Sequence, residues 1–255
     1  MSIEAHVELA RRSGRKYPTN INSGGLLSPT NLLHSAAKRA QTVVQLASEL
    51  GIPRLTTLVE EFLFQQLNPD DLRSLGDVPW YERPSCNKIT VVNSAVALFY
   101  APSDISGIGG MRREYIRSCP SWQNGPPRYD CAFVNTDPRL KGMRGLDVVR
   151  VLGFFSFVFQ GKRYSCAIVQ WFDRVGHEPD VDTGMWIVRP IPIHRHGAIS
   201  VLHVDTIYRA AHLIPLYGTQ FIPRSIKPHL SYDTFTAFYV NKFIDHHAFA
   251  LLSDT

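Results

Sequence analysis

Nowhere in this sequence are two cysteines separated by just two residues, as in C-x-x-C. The four that occur, Cys86, Cys119, Cys131 and Cys166, are scattered, so the short knuckle that builds a tetrahedral zinc site is missing. Equally absent are the serine elbow G-x-S-x-G and any cysteine–histidine pair at a coupled spacing. Gly107-Ile108-Gly109-Gly110 is glycine-rich but lacks the Lys-Ser/Thr of a phosphate-cradling loop, and reads as a tight backbone turn. Long apolar runs are lacking too. The longest, Val148 to Phe159, contains Arg150 and falls far short of a bilayer span, which argues against a transmembrane helix and a membrane partner. The opening MSIEAHVELARRSGRK has no apolar core of a secretory signal, so the expected setting is intracellular and reducing, with free thiols.

What is present is a folded composition. Of 255 residues, 44% are hydrophobic and 19% charged, enough apolar material for a sizeable core. The net charge of +5 permits an acidic partner and does not demand one.

Residues 1–30 read as a polar, basic arm, with Arg11, Arg12, Arg15 and Lys16 in an RRSGRK cluster. Residues 31–80 read as a helical hairpin. Its first helix, Asn31 to Leu50, follows Leu32, Leu33, Ala36, Ala40, Val43, Val44 and Ala47, with Thr30 or Asn31 as cap and Gly51 as stop. Its second begins near Pro53, lines one face with Leu55, Leu58, Val59, Phe62, Leu63 and Leu67, and ends before Pro69. A domain break is expected at Pro79 to Pro84. Residues 85–255 then read as a β-rich core. Lys88 to Tyr100 makes a strand or two, and Pro102 to Pro127 a long loop with one short helix. Further strands are expected at Tyr129–Asn135, Leu146–Phe159, Tyr164–Trp171, Met185–Pro190 and Ser200–Val204. The second and third of these form a hairpin with Gly161 in its turn. Tyr232 to Leu252 reads as a closing helix. The fold class is therefore α+β: an N-terminal helical hairpin, a compact β-barrel-like core with long loops, and a closing C-terminal helix. The core has the flavour of an SH3-like or bromo-adjacent-homology (BAH) barrel.

Three constellations carry chemistry-bearing residues. The loop His177-Glu178-Pro179-Asp180-Val181-Asp182 offers two carboxylates, without the spacing of a calcium loop. Asp245-His246-His247 lies in the expected closing helix, where neighbouring histidines point about 100° apart. One buried, hydrogen-bonded histidine beside an exposed one is the expected arrangement. The alternative joins His177, Asp180, Asp182, His246 and His247 in a metal-dependent hydrolase. The third constellation is the stretch from Gly107 to Arg150, with Arg112, Arg113, Arg117, Arg128, Arg139, Lys141, Arg144 and Arg150 against four acids. Tyr115, Trp122 and Tyr129 are interleaved. Arginine with exposed aromatics suits phosphate contact and base stacking. The candidate nucleic-acid-binding set is Arg112, Arg113, Arg117, Trp122, Arg128, Arg139, Lys141 and Arg144. Alternatively, these arginines pair with local acids and the aromatics are core.

The runs SAVALFYAPSDISGIGGMRREYIRSCPSW, PPRYDCAFVNTDPRLKGMRGLDVVRVLGFFSF, CAIVQWFDRVGHEPDVDTGMWIV, HVDTIYRAAHLIPLYG and FYVNKFIDHHAF resemble the C-terminal region of Plavaka-type transposases, from cut-and-paste DNA transposons of mushroom-forming fungi. HVELARRSGRKYP and TLVEEFLFQQLNPDD resemble the stretch before it. The resemblance covers nearly the whole chain, least around residues 24–50. It implies an RNase H-like catalytic core upstream of the matched region, so no catalytic residue, metal or cofactor carries over. The family-like positions include Arg112, Arg113, Trp122, Asp137, Arg144, Asp147, Trp171, Trp186, Asp205, Arg209, His212, Asn241 and Asp245 to His247. Asp205 and Arg209 are expected to form a buried i,i+4 ion pair.

The resulting expectation is a nuclear, non-catalytic accessory module that contacts DNA, chromatin or a transposase catalytic domain. A protein-interaction scaffold presenting the helical hairpin's apolar face is the alternative.

Overall fold

A computed structural model of the chain describes residues 32–33, 38–71, 73–101, 109–219, 221–222 and 224–253. The basic arm of residues 1–30 and the expected cap at Thr30 or Asn31 lie outside these residues. The chain divides into two compact units, one holding Gln41–Ile89 and the other Thr90–Thr255 together with the segment 26–40.

The smaller unit holds helices α1 (Val43–Leu50) and α2 (Leu55–Leu67). The first helix starts twelve residues later than its apolar spacing suggests, and strand β2 (Arg39–Thr42) occupies part of the predicted span. The reason is a capping box. The Thr42 hydroxyl accepts from the Gln45 amide at 3.1 Å, and the Gln45 side chain accepts from the Thr42 amide at 2.8 Å. Together these satisfy two donors that a helix start otherwise leaves unpaired. Gly51 ends the helix in the left-handed region at φ 65°, as expected. The hairpin's stripe (Val43, Leu46, Leu55, Leu58, Val59, Phe62, Leu63) is buried. Of the residues expected on the hairpin's apolar faces, Val44 and Leu67 are exposed.

The larger unit is β-rich, and every strand pair with a described register is antiparallel. The short strand β1 (Leu32–Leu33) and β3 (Lys88–Val92) precede β4 (Ser94–Tyr100), β5 (Met111–Cys119), β6 (Arg128–Tyr129) and β7 (Cys131–Asn135). Then come the long strands β8 (Leu146–Phe159) and β9 (Lys162–Val175). They form one hairpin through Gln160 and Gly161, at φ 48° and 76°, the paired left-handed residues of a two-residue turn. Next are β10 (Ile187–Pro190), β11 (Ile199–His203), β12 (Ile207–Ala211), β13 (Leu213–Pro215), the single turn α3 (Ser231–Thr234), β14 (Phe238–Val240) and helix α4 (His246–Ser253).

One sheet runs β1-β4-β5-β6 and the other β12-β7-β8-β9-β10-β14-β13. Beyond β9, the outer edge of β8 changes neighbour along its length, from β7 over Leu146–Arg150 to β3 over Phe154–Ser156. The outer edge of β9 does the same with β11 and β10. A bulge between Val151 and Gly153 bends β8 where its neighbour changes. The sheet curls into a half-barrel. Consecutive residues such as Val148 and Val149, Phe154 and Phe155, and Ala167 and Ile168 are all nearly fully buried. Both faces of the hairpin are therefore covered, which is why these strands read as continuous apolar runs.

Two expectations give way. The stretch predicted as a loop with a short helix contains β5, a nine-residue strand. The predicted closing helix is broken into α3, β14 and α4, because Phe238 and Val240 alternate inward and β14 pairs with both β10 and β13. Phe235, Phe238 and Tyr239 fit helical spacing, while Phe238 and Val240, two apart, fit strand spacing, and so short a segment does not separate the two patterns.

The β7–β8 connection closes on Gly145, whose carbonyl accepts from the Thr136 and Asp137 amides. A Cβ there would lie 2.4 Å from the Leu140 carbonyl oxygen and 2.5 Å from that of Asp137. Gly145→Ala is therefore expected to cost about 2–3 kcal/mol. Gly76→Ala, whose Cβ meets only the Ser74 hydroxyl at 3.4 Å, is expected to cost far less. Thermal unfolding of the two variants checks the difference.

Candidate nucleic-acid interface

The candidate residues centre on β5, whose alternation turns two different sets of side chains to its two sides. Arg112, Glu114 and Ile116 face one way, and Arg113, Tyr115 and Arg117 the other.

Glu114 fixes the first side. Its carboxylate accepts from the Arg209 guanidinium at 2.7 Å and from the Ala210 amide at 3.0 Å. Arg209, on β12, is fully buried. It also donates to both oxygens of Asp245, at 3.0 and 2.5 Å, and lies 3.0 Å from His247 Nδ1. Its guanidinium carbon sits 4.7 Å from the Phe99 ring centre, and Phe99 stacks on His247 at 4.9 Å. The Tyr208 hydroxyl reaches His247 Nε2 at 3.3 Å. Neighbours on a regular strand face opposite ways. A bulge between Ile207 and Arg209 makes Tyr208 the extra residue and lets both reach one cluster.

Asp245 also caps α4, accepting from the Ala248 amide at 2.7 Å. Its carboxyl is held down at about 2. Burial pushes it up, but the Arg209 hydrogen bonds, the Ala248 amide and the charges of Arg209 and His247 outweigh burial. Every oxygen of Glu114 and Asp245 is engaged within the cluster, which joins β5, β12 and α4. His247 is buried and hydrogen-bonded while His246 is exposed, the arrangement expected from the sequence. The expected Asp205–Arg209 pair does not form. Asp205 is exposed beside His203, 3.2 Å from its Nδ1, and Arg209 turns instead to partners distant in sequence.

The second side of β5 carries a ladder. Arg113 lies 5.1 Å from the Tyr115 ring centre and Arg117 5.4 Å from it. Arg117 is also 4.5 Å from the Trp122 ring, and Arg128 on β6 is 5.4 Å from the same ring. Cation and aromatic thus alternate over five side chains. Arg113 is exposed, Tyr115 is 37% exposed, and Arg117, Trp122 and Arg128 are half-buried. Asp130 pairs with Arg128 at 2.7 Å. The other Asp130 oxygen accepts from the Arg117 amide at 2.9 Å, and among the described residues no ion pair joins the Arg113 or Arg117 guanidinium to a carboxylate.

The rest of the sequence-derived set lies elsewhere. Arg112 is on the opposite side of β5. Arg139, Lys141 and Arg144 stand in the β7–β8 connection, where Arg139 chelates Asp137 at 2.8 Å. Arg150 is buried. It pairs with Asp233 at 2.6 Å and lies between Tyr129 and Tyr232, 5.5 and 5.4 Å from their rings. Trp186 is core, and the Trp171 indole donates to Ser200 at 2.9 Å.

Among the described residues, no three His, Cys, Asp or Glu side chains gather as metal ligands. Asp180 caps its own turn through the Thr183 amide and hydroxyl, and His177, Asp182, His194 and His196 are exposed. All four cysteines are free thiols. No helix of the described residues is long and apolar enough to cross a membrane.

In comparison with known proteins, no family model, curated protein or solved structure matches this chain.

Two outcomes follow for the Arg209 cluster. Arg209→Met strands two carboxylates and is expected to cost about 3–5 kcal/mol, read from the urea midpoint. A carboxyl whose pKa falls on folding, here from 3.8 to about 2, stabilises the fold at neutral pH and ceases to as pH drops. The Asp245 contribution is therefore intact above about pH 4 and lost between about pH 4 and pH 2. It amounts to roughly 1 kcal/mol once solvent screening is allowed for. Asp245→Asn should flatten that limb of the stability–pH curve.

Proposed function

We propose that this chain is a non-catalytic accessory module that contacts nucleic acid through the β5–β6 face, of the kind that accompanies a transposase catalytic domain in the nucleus. The cation–aromatic ladder is the observation that carries the reading. Arg117 lies between the Tyr115 and Trp122 rings and Arg113 against Tyr115 on a partly exposed sheet face, and among the described residues no ion pair joins either guanidinium to a carboxylate; the combination suits phosphate contact with base stacking. The resemblance to the C-terminal region of Plavaka-type transposases points the same way. The finer architecture in this proposal is an SH3- or BAH-like barrel, and the way β8 and β9 each pass between two neighbours supports it. Chromatin-tail reading through Trp171 and Trp186 is less favoured, because one ring is core and the other is tied to Ser200.

A second reading, a protein-interaction scaffold, rests on Phe243 and Phe249. They are 61% and 47% exposed, lie 5.8 Å apart, and are both capped by Lys242.

Fluorescence anisotropy with labelled DNA decides the first reading. Binding at about 50 mM salt should weaken toward about 200 mM, with a log–log slope of about −2 for two or three phosphates neutralised. The Arg113→Gln/Arg117→Gln variant should flatten that slope by about 1.5. Salt-independent binding, or none at about 50 mM, contradicts the reading.

A further inference from the structure

We infer that the nucleic acid taken by the β5–β6 face is single-stranded, with unpaired bases stacked against Tyr115 and Trp122 and phosphates on Arg113 and Arg117; this rests on the nucleic-acid reading above. A duplex hides its base faces in its own stack, so aromatic rings on a sheet surface add little to duplex binding. A single strand offers a π-face at every nucleotide.

The elements that read a duplex are not on this face. The major groove admits a helix or a two-stranded ribbon. In the larger unit the described α-helices are one turn at Ser231–Thr234 and the segment HHAFALLS, neither of which contains arginine or lysine. β5 pairs with β4 over Met111–Arg117 and with β6 only at Ser118 and Cys119, but it is no free ribbon, because its Glu114 side is bonded to Arg209 and Ala210 of β12.

The loop that carries Trp122 is built to hold it. Gln123 and Asn124 both take left-handed backbone, at φ 51° and 59°. The turn is closed by the Gly125 amide on the Trp122 carbonyl at 2.8 Å and by the Trp122 amide on the Pro126 carbonyl at 3.0 Å. The Ser121 hydroxyl adds a bond to the Gly125 carbonyl at 2.9 Å. Glutamine rarely adopts this conformation, and backbone strain of this kind clusters at ligand clamps. Here it fixes a half-buried indole over Arg117, at the junction of two cation contacts. A ring held in place before binding loses little freedom when a base stacks on it.

The test compares fluorescein-labelled oligothymidylate of about 20 nucleotides with a mixed-sequence duplex of the same length, using the full chain at low salt. The oligothymidylate is expected to bind more tightly and to quench tryptophan fluorescence. Trp122→Leu should weaken oligothymidylate binding about ten-fold while leaving duplex binding within about two-fold, and Trp122→Phe should restore most of the loss. Circular dichroism confirms that each variant is folded. Duplex binding as tight as single-strand binding, or a Trp122→Leu variant that binds oligothymidylate unchanged, overturns this inference while leaving the nucleic-acid reading standing. No binding to either DNA removes both.

Discussion

A guanidinium withdrawn from water must find opposite charge within hydrogen-bond reach, or the fold that buries it does not form. Arg209 finds it in Glu114 on one strand and Asp245 at the head of the last helix. This requirement reaches well beyond its immediate neighbours. Side chains along a strand alternate without exception while the strand stays regular, and a slip of one residue would exchange its two faces. Holding Glu114 inward therefore places Arg113, Tyr115 and Arg117 on the opposite side. The buried ion pair and the surface ladder are two consequences of one register. Asp245 extends the same logic to the C-terminus. Its carboxylate both neutralises Arg209 and caps α4, so the helix start and the charge cluster stabilise each other.

The parts of the fold that were legible in the sequence are those where hydrophobic pattern and turn chemistry agree. The β8–β9 hairpin announces itself through two apolar runs around Gln160-Gly161, and Gly51 marks a helix end that the structure keeps. β5 was hidden because its pattern is charged. The sequence MRREYIRSC alternates a polar ladder with an inward Glu114, and hydrophobicity alone registers neither side as a strand. The signal that exposes it is a single acid among inward positions, which has meaning only once a buried arginine elsewhere needs it. Local spacing pairs Arg209 with Asp205, four residues away. The true partners are nearly a hundred residues upstream and thirty-six downstream, a distance that local spacing cannot reveal. The break in the closing helix was hidden for a related reason: Phe238 is held in a strand by β10 and β13, not by its own neighbours in sequence.

The basic stretch that drew attention in the sequence resolves into parts with different roles. Arg150 is a buried clasp between Tyr129, Tyr232 and Asp233, Arg139 is bound up with Asp137, and Arg112 faces away from the ladder. What remains on one face is a short alternation of cations and rings in which Asp130 pairs with Arg128. Charge count alone overstates the proposed interface, because five of these side chains and rings share one face. Of the exposed Phe243–Phe249 pair, Phe243 lies on the approach to α4 and Phe249 within it, so their pairing depends on the Asp245 cap, much as the ladder depends on Glu114.

The dependence of the ladder on the buried pair is tested most directly by a double-mutant cycle between Glu114→Gln and Arg209→Met, followed by urea unfolding. If the pair sets the register of β5, the coupling free energy should be about 2–3 kcal/mol, in the upper range for contacting residues. Additive losses, with a coupling below about 0.5 kcal/mol, would mean that β5 holds its face without Arg209 and would contradict the account.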